Sequence, residues 1–261
     1  MQGEWERRYS AIRRVVEEFS PDICLFQEIW VDKRLNMVET IAEGLGMSFV
    51  WGPSSNPKLW ALRGSSPTVV VGNAIMSRYP ISDRAQHNLP SESGGDDGRS
   101  VLYASVNAGK VVVPTFTTHL SSGPGKSRVR RRQIASLVRF VRSRSSSSFP
   151  IVLGGDFNAE PDSDEIRLLE GRKTSPIFSD LVLVDAWRYA AEGASGMTWN
   201  NANPNVANRP WHVSGRIDYV FLGEPLASGA GSVVAIRLVG DCPIGGVWPS
   251  DHAGVLVDVV E

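Results

Sequence analysis

The feature that most constrains this chain is a hydrophobic period that changes along its length. Trp5, Tyr9, Ile12, Val16 and Phe19 recur at spacings of four, three, four and three, which predicts one apolar face of a helix ended by Pro21. The next segment, Asp22–Gln27, carries a short unbroken apolar run, the pattern of a strand buried on both faces. A second helix is expected over about 32–45, stopped by Gly44 and Gly46, with strands at Phe49–Trp51 and Thr68–Met76 after it. Further on, Val101–Val106 and Val111–Thr118 flank Asn107-Ala108-Gly109-Lys110 as a hairpin. Lys126–Arg144 reads as a helix with Ile134, Leu137, Val138 and Val141 as its apolar stripe. Strands are expected at Pro150–Leu153, Arg216–Leu222, Val233–Val239 and Ala253–Val259. Helix–strand alternation that gives way to hairpins predicts an α/β fold with mixed sheets, not an all-parallel sheet. Ser91–Gly98 and Ser143–Ser148 read as loops too short for domain linkers, so residues 1–261 are expected to form a single domain.

Composition narrows the function classes. Lys and Arg number 27 against 28 Asp and Glu, a net charge of −1, which argues against a surface built for bulk nucleic-acid binding. Two cysteines, Cys24 and Cys242, cannot form a disulfide framework, and Cys24 in its apolar run reads as a buried free thiol. No apolar stretch approaches the ~18–20 residues of a membrane span. The polar N-terminus, Met1–Arg8, has no hydrophobic segment behind it. A cytoplasmic monomer without an integral membrane segment is therefore expected.

Polar residues fall at informative places. Glu28 follows the first apolar run, His119 ends Thr115-Phe116-Thr117-Thr118, and Asp156 and Asn158 follow Ile151–Gly155. Asp218 lies inside Arg216–Val220, and Asp251 and His252 precede the last strand. Ligand sites of α/β sheets gather at strand ends, so these residues could converge although they are spread from 28 to 252. Each has a bland alternative as a turn former, helix cap or structural histidine. A carboxylate between apolar neighbours, as at Asp218, implies a partner. The glycine pair before Asp156 would let the backbone approach a ligand closely.

These segments, Gln27-Glu28-Ile29-Trp30, THLSS from Thr118, GGDFN from Gly154, RIDYVF from Arg216 and Ser250-Asp251-His252, in this order and spacing, resemble the endonuclease/exonuclease/phosphatase family. That family comprises deoxyribonuclease-like metal phosphoesterases. The resemblance implies a four-layered α/β sandwich, two facing mixed β-sheets flanked by helices, with the active site at one end of the sheets. It implies that Glu28 binds a divalent metal and that Asp251 serves the metal site directly or through water. By the same resemblance Asp156 orients and deprotonates the attacking water, and Asn158 holds a phosphate oxygen or helps position that water. His252, oriented by Asp218, binds the phosphate or transfers a proton, and His119 contacts the phosphate or assists the leaving oxygen. A carboxylate-based ligand set fits Mg²⁺ or Mn²⁺ better than zinc. The implied activity is hydrolysis of a phosphodiester in a nucleic acid, a phospholipid headgroup or a small phosphorylated molecule.

One departure stands out. Family members begin with an apolar strand ending in an asparagine near the metal, whereas Met1 already lies in the segment leading into the first helix. The expectation is that this strand is lacking, which leaves a non-catalytic or weakly active binding protein on the same scaffold as the alternative. Other signals are weaker. Lys126–Arg144 holds eight basic residues and no acidic one; an anionic-substrate contact is one reading, and at a net charge of −1 a solvated helix face is the favoured one. Trp199, Trp211 and Trp248 in loops near the candidate site are readable as stacking platforms or as loop packing. His87 and His212 receive no role. Gly125-Lys126-Ser127 does not complete a P-loop, because Leu120 occupies the position that needs glycine.

Overall fold

Helix α1 (Gln2–Phe19) forms where the four–three spacing placed it, and Val16 is buried on its inner face with Tyr9 and Ile12 packed beside it. The structure is a computed structural model that describes residues 2–33, 35–59, 68–92, 96–144, 148–207 and 213–261, with side chains from residue 7 onward. Trp211 and His212, and parts of the loops at 91–98 and 143–148, lie outside the described residues.

Strand β1 (Ile23–Val31) is longer than the apolar run that announced it. It pairs antiparallel with β3 (Val70–Ser77), which also pairs antiparallel with β2 (Ser48–Pro53), giving a three-stranded sheet in the order β1-β3-β2. Helix α2 (Met37–Leu45) starts later than the sequence indicated. The reason is local: the strand runs on to Val31, Asp32 Oδ1 takes the Leu35 N–H at 2.8 Å to close a turn, and Asn36 caps the helix by accepting from the Glu39 N–H. Gly46 ends it in the left-handed conformation, φ 64°.

The second sheet has six strands in the order β4-β5-β6-β7-β9-β8: β4 (Ile81–Asn88), β5 (Ser100–Ala108), β6 (Val111–His119), β7 (Val152–Asp156), β8 (Val184–Asp185) and β9 (Asp218–Leu222). The β6–β7 pair is parallel and the other pairs are antiparallel, so this sheet is the mixed one, while the three-stranded sheet is antiparallel throughout. Strands β10 (Val233–Val239) and β11 (Gly254–Val259) form a separate antiparallel pair. Strand β4 carried no sequence signal because Ser82, Asp83 and Arg84 are all exposed on this edge strand, which hides the alternation. Helix α3 (Ser127–Ser143) follows a 3₁₀ turn at Pro124–Lys126, and the short helix α4 (Asp164–Glu170) packs beside it. One further turn, α5 (Pro204–Ala207), lies in the loop before β9.

Three apolar clusters show how the layers stack. Val38, Ile41 and Ala42 of α2 with Val16 of α1 cover Cys24, Ala74 and Met76 on one face of the three-stranded sheet. Its other face, through Leu25, Val50 and Ile75, meets Leu102, Ala104, Val106, Val113 and Val152 of the six-stranded sheet. The outer face of that sheet, through Val101, Tyr103, Phe116, Leu153 and Phe221, is covered by Ile134, Leu137, Val138 and Val141 of α3 and Ile166 and Leu169 of α4. Helix, sheet, sheet, helix is the four-layered arrangement. Successive strand residues such as Cys24 and Leu25 face different layers, which is why these strands read as continuous apolar runs.

The basic helix α3 is held by acids from neighbouring elements. Arg130 and Glu165 form a buried pair at 2.8 Å, and Arg131, Arg142 and Arg144 meet Asp164, Asp180 and Asp83 at 3.4, 2.6 and 3.2 Å. Five of the eight basic residues of 126–144 are thus committed to ion pairs, Lys126 with Glu92 being the fifth, which favours the structural reading of the charge run. Among the described residues no helix is long and apolar enough to cross a membrane.

Candidate active site

Strand direction brings the polar row together. Because β6 and β7 run parallel, their C-terminal ends, His119 and Asp156, lie side by side; because β9 runs antiparallel to β7, its first residue, Asp218, falls level with Asp156. His119 Nε2 is 3.3 Å from Asp156 Oδ2. Asp218 Oδ2 is 2.8 Å from His252 Nδ1. Oxygen or nitrogen atoms of Asp156, Asp218 and His252 all lie within 4.8 Å of one another, a donor set able to hold a cation.

The glycine pair serves packing, not the ligand approach expected of it. A side chain on Gly154 would meet Leu25 of the facing sheet at 2.6 Å, and one on Gly155, at φ 144°, would lie 2.0 Å from the Thr118 carbonyl oxygen. The two glycines let β7 sit tightly against β6 and under β1, which fixes the height of Asp156. After it the chain turns sharply through Asn158, φ 49°, whose N–H donates to Asp156 Oδ1 at 2.8 Å and whose side-chain amide donates to the Leu120 carbonyl at 3.1 Å. Asn158 therefore braces both Asp156 and the segment after His119.

Glu28 does not follow a strand; it lies within β1, at an irregularity between Phe26 and Ile29, with φ 55°. The bulge re-aims its carboxylate. That side chain is 60% exposed, and its Oε1 is 3.9 Å from His119 Nδ1. The neighbouring Gln27 amide donates to Thr117 Oγ1 of the other sheet at 2.9 Å, tying the two sheets together beside the site. Asp251 comes in from the segment before β11, where its Oδ1 accepts from Ser250 Oγ at 3.3 Å and the same hydroxyl accepts the His252 N–H at 3.1 Å. The site thus gathers Asp156, Asn158, Asp218, His252 and His119, with Glu28 bordering through His119 and Asp251 through its place beside His252.

Electrostatics separate the two central groups. Burial, then the charge of Asp218, pushes the Asp156 carboxyl up to about 7, partly offset by His252, the Asn158 N–H and Arg99. Burial works against the His252 imidazolium, yet the charge and hydrogen bond of Asp218, with Asp156 and Asp251 behind, outweigh it and raise the group to about 10. A carboxylate titrating near neutrality beside an imidazolium is the pairing that general acid–base chemistry needs.

Two contributors, Thr198 and Asn73, were not singled out from the sequence. Thr198, 1% exposed, accepts the Ile217 and Asp218 N–H groups at its Oγ1, both at 3.1 Å, and its carbonyl accepts the Ala253 N–H at 2.8 Å, so it links the two halves of the Asp218–His252 pair. Trp199 lies edge-on to the His252 ring at 4.7 Å, which makes it packing for the imidazole. Asn73, opposite the bulge of β1, is buried, donates to the Ser100 carbonyl at 3.1 Å and lines a small cavity with Glu28, Arg99 and His119. A lone asparagine inside the apolar run Val69–Met76 was the available signal. His87 stacks on Phe140 at 5.4 Å and pairs with Ser136, a structural role.

Residues 1–252 match the sequence profile of the Endonuclease/Exonuclease/phosphatase family. The chain belongs to this family. It is 28% identical over 177 residues to Protein angel of Drosophila melanogaster, an alignment covering 64% of this chain and 48% of that protein. It is 26% identical over 164 residues to a phospholipase C of Staphylococcus aureus, covering 58% and 45%. The chain spans about half the length of these curated relatives. The crystal structure of TDP2 from C. elegans shares the fold, with a TM-score of 0.70 at 19% identity over 98% of this chain and 70% of that one.

Proposed function

We propose that this protein is a divalent-metal-dependent phosphoesterase that hydrolyses a phosphodiester by attack of an activated water. The observation that carries the reading is the convergence of Asp156, Asp218 and His252 at one sheet edge, with donor atoms inside 4.8 Å. Family membership supports the reaction class, and the similarity to a relative named phospholipase C supports the choice of a phosphodiester.

Asp156 accepts the proton of the attacking water, a role suited to a buried carboxyl raised to about 7. Asn158 keeps that carboxylate aimed, because its N–H occupies Oδ1 and leaves Oδ2 on the side of His119. Asp218 holds His252 through Nδ1, which keeps the imidazole cationic and leaves Nε2 as its second proton-bearing atom, for a phosphoryl oxygen or the departing alkoxide. His119 stands across Asp156 from that pair and serves the leaving oxygen. Glu28 and Asp251 are the residues assigned to hold the metal. Two carboxylates, all oxygen donors, fit a hard cation such as Mg²⁺ or Mn²⁺. When bound there, such a cation would supply charge neutralisation for the phosphoryl oxygens. The substrate class spans nucleic acids, phospholipid headgroups and small phosphodiesters.

The test is turnover of an activated aryl phosphodiester in Mg²⁺ or Mn²⁺, with and without chelator. We expect activity that chelation abolishes, and an Asp156→Asn protein that folds normally and loses nearly all of the rate. Chelator-resistant turnover, or wild-type rates in Asp156→Asn, would reject the mechanism. A panel of DNA, RNA, sphingomyelin and inositol phosphates then ranks the substrates.

A further inference from the structure

Arg99 stands one residue before β5, and the register of that strand decides where its side chain goes. Val101 pairs with Thr118, so the start of β5 reaches the edge of the sheet that carries His119, Asp156 and Asp218. Arg99 is 4% exposed, an unusual burial for a group that is always charged. Its place is fixed by the turn before it: the Arg99 N–H donates to Asp97 Oδ1 at 3.3 Å, its carbonyl accepts the Leu89 N–H at 2.8 Å, and Gly98 N–H donates to Asp96 Oδ1 at 2.8 Å. Asp97 is itself anchored, accepting from Ser121 Oγ at 2.6 Å. On one side Arg99 lines the small cavity shared with Glu28, Asn73 and His119. On the other it forms part of the wall of a cavity of about 320 Å³ bordered by Ser91, Glu92, Asp97, Ser121 and Lys126.

We propose that Arg99 is a substrate-binding residue whose guanidinium takes non-bridging oxygens of the phosphoryl group. Three features carry this: a permanent cation at the catalytic edge, a backbone held on both sides, and open space of about 320 Å³ beyond it for the group esterified to the phosphate. The planar fork of a guanidinium matches two phosphoryl oxygens, a fit that an ammonium does not reproduce. The charge also reaches Asp156, where it favours the ionised carboxylate, consistent with its position. The inference rests on the phosphoesterase reading and adds a residue that the sequence motifs do not contain.

The full-length chain, with Mg²⁺ or Mn²⁺, provides the test through Arg99→Met and Arg99→Lys. By analogy with loss of one preorganised donor, Arg99→Met should lower kcat/KM for an aryl phosphodiester by about 10²–10³-fold. Arg99→Lys should recover only part of that loss, because it restores charge without the fork. Inorganic phosphate, titrated calorimetrically, gives a second readout that a purely structural role would not move: its affinity should fall at least about tenfold in both variants, with circular dichroism unchanged. If Arg99→Met does not fold, Arg99→Lys decides alone. Wild-type kcat/KM and phosphate affinity in a folded Arg99→Lys would overturn the inference. An inactive wild type would instead count against the phosphoesterase reading, while the phosphate titration still judges Arg99.

Discussion

Replacing Gly155 by alanine tests how the catalytic edge is held at its working height. The new methyl carbon would lie 2.0 Å from the Thr118 carbonyl oxygen and 3.0 Å from that residue's carbonyl carbon and nitrogen, all of them backbone atoms of the paired strand. Ordinary contact needs more than 3 Å, so β6 and β7 must part by about 1 Å. The backbone at φ 144° adds a second penalty, because an L side chain rarely adopts it. Conformational strain of about 1–2 kcal/mol and overpacking of about 1–3 kcal/mol sum to roughly 2–5 kcal/mol. At about 2–4 °C per kcal/mol for a chain of this size, thermal unfolding should drop by roughly 4–20 °C. Thr118 and Gly155 are paired immediately before His119 and Asp156, so the same displacement should lower kcat/KM by about 10²-fold even in the folded fraction. Gly154→Ala is the internal control: its nearest contact, at 2.6 Å, is the tip of the Leu25 side chain, which can rotate away, and the loss should stay near 1 kcal/mol. Scanning calorimetry and steady-state kinetics on both variants give the answer. A Gly155→Ala protein that melts within about 1 °C of wild type with unchanged kcat/KM, or one more stable than Gly154→Ala, would refute the packing account.

Other expectations follow from the same geometry. Asp218→Asn keeps the shape of the partner 2.8 Å from His252 Nδ1 but removes its charge, and kcat/KM should fall about 10–100-fold with little change in melting temperature. Tyr219→Phe removes a buried hydroxyl lying 2.7 Å from the Ala159 carbonyl and 2.9 Å from that of Arg216; denaturant titration should show a loss of about 1–2 kcal/mol. Burial raises the Cys24 thiol to about 12, so it stays neutral until the pH nears that value, and at pH 8 only about one molecule in 10⁴ carries a thiolate there. A thiol reagent should therefore label the exposed Cys242 alone in the native protein and both cysteines in guanidinium; two labels under native conditions would contradict the buried position of Cys24.

Local order was legible wherever a periodic signal was long enough. The helix ended by Pro21, the hairpin around Asn107–Lys110 and the stripe of α3 all form where their residues placed them, because each is announced by the spacing of residues close together in sequence. Signals failed where burial did not follow them. In the edge strand β4 the exposed run Ser82–Arg84 breaks the alternation, and the seven-residue α4 is too short for a period. Strand ends were misjudged at Glu28 and at Gly154–Asp156, where the chain continues in a strand through polar or glycine positions because the neighbouring strands supply the hydrogen bonds.

By itself the sequence determined the elements, the alternation of helix and sheet, and the identity of the polar groups at strand ends. It did so because side-chain period and turn chemistry are local properties of consecutive residues. Only the tertiary structure decided which of those groups meet: a parallel β6–β7 pair and an antiparallel β7–β9 pair are needed to set His119, Asp156 and Asp218 in one row. Tertiary structure also turned two glycines from a ligand approach into a packing requirement, and put Asn73, Arg99 and Thr198 beside residues far away in sequence. Contacts of that kind depend on strand order and register, which follow from how whole layers bury their faces against one another and not from any single stretch of chain.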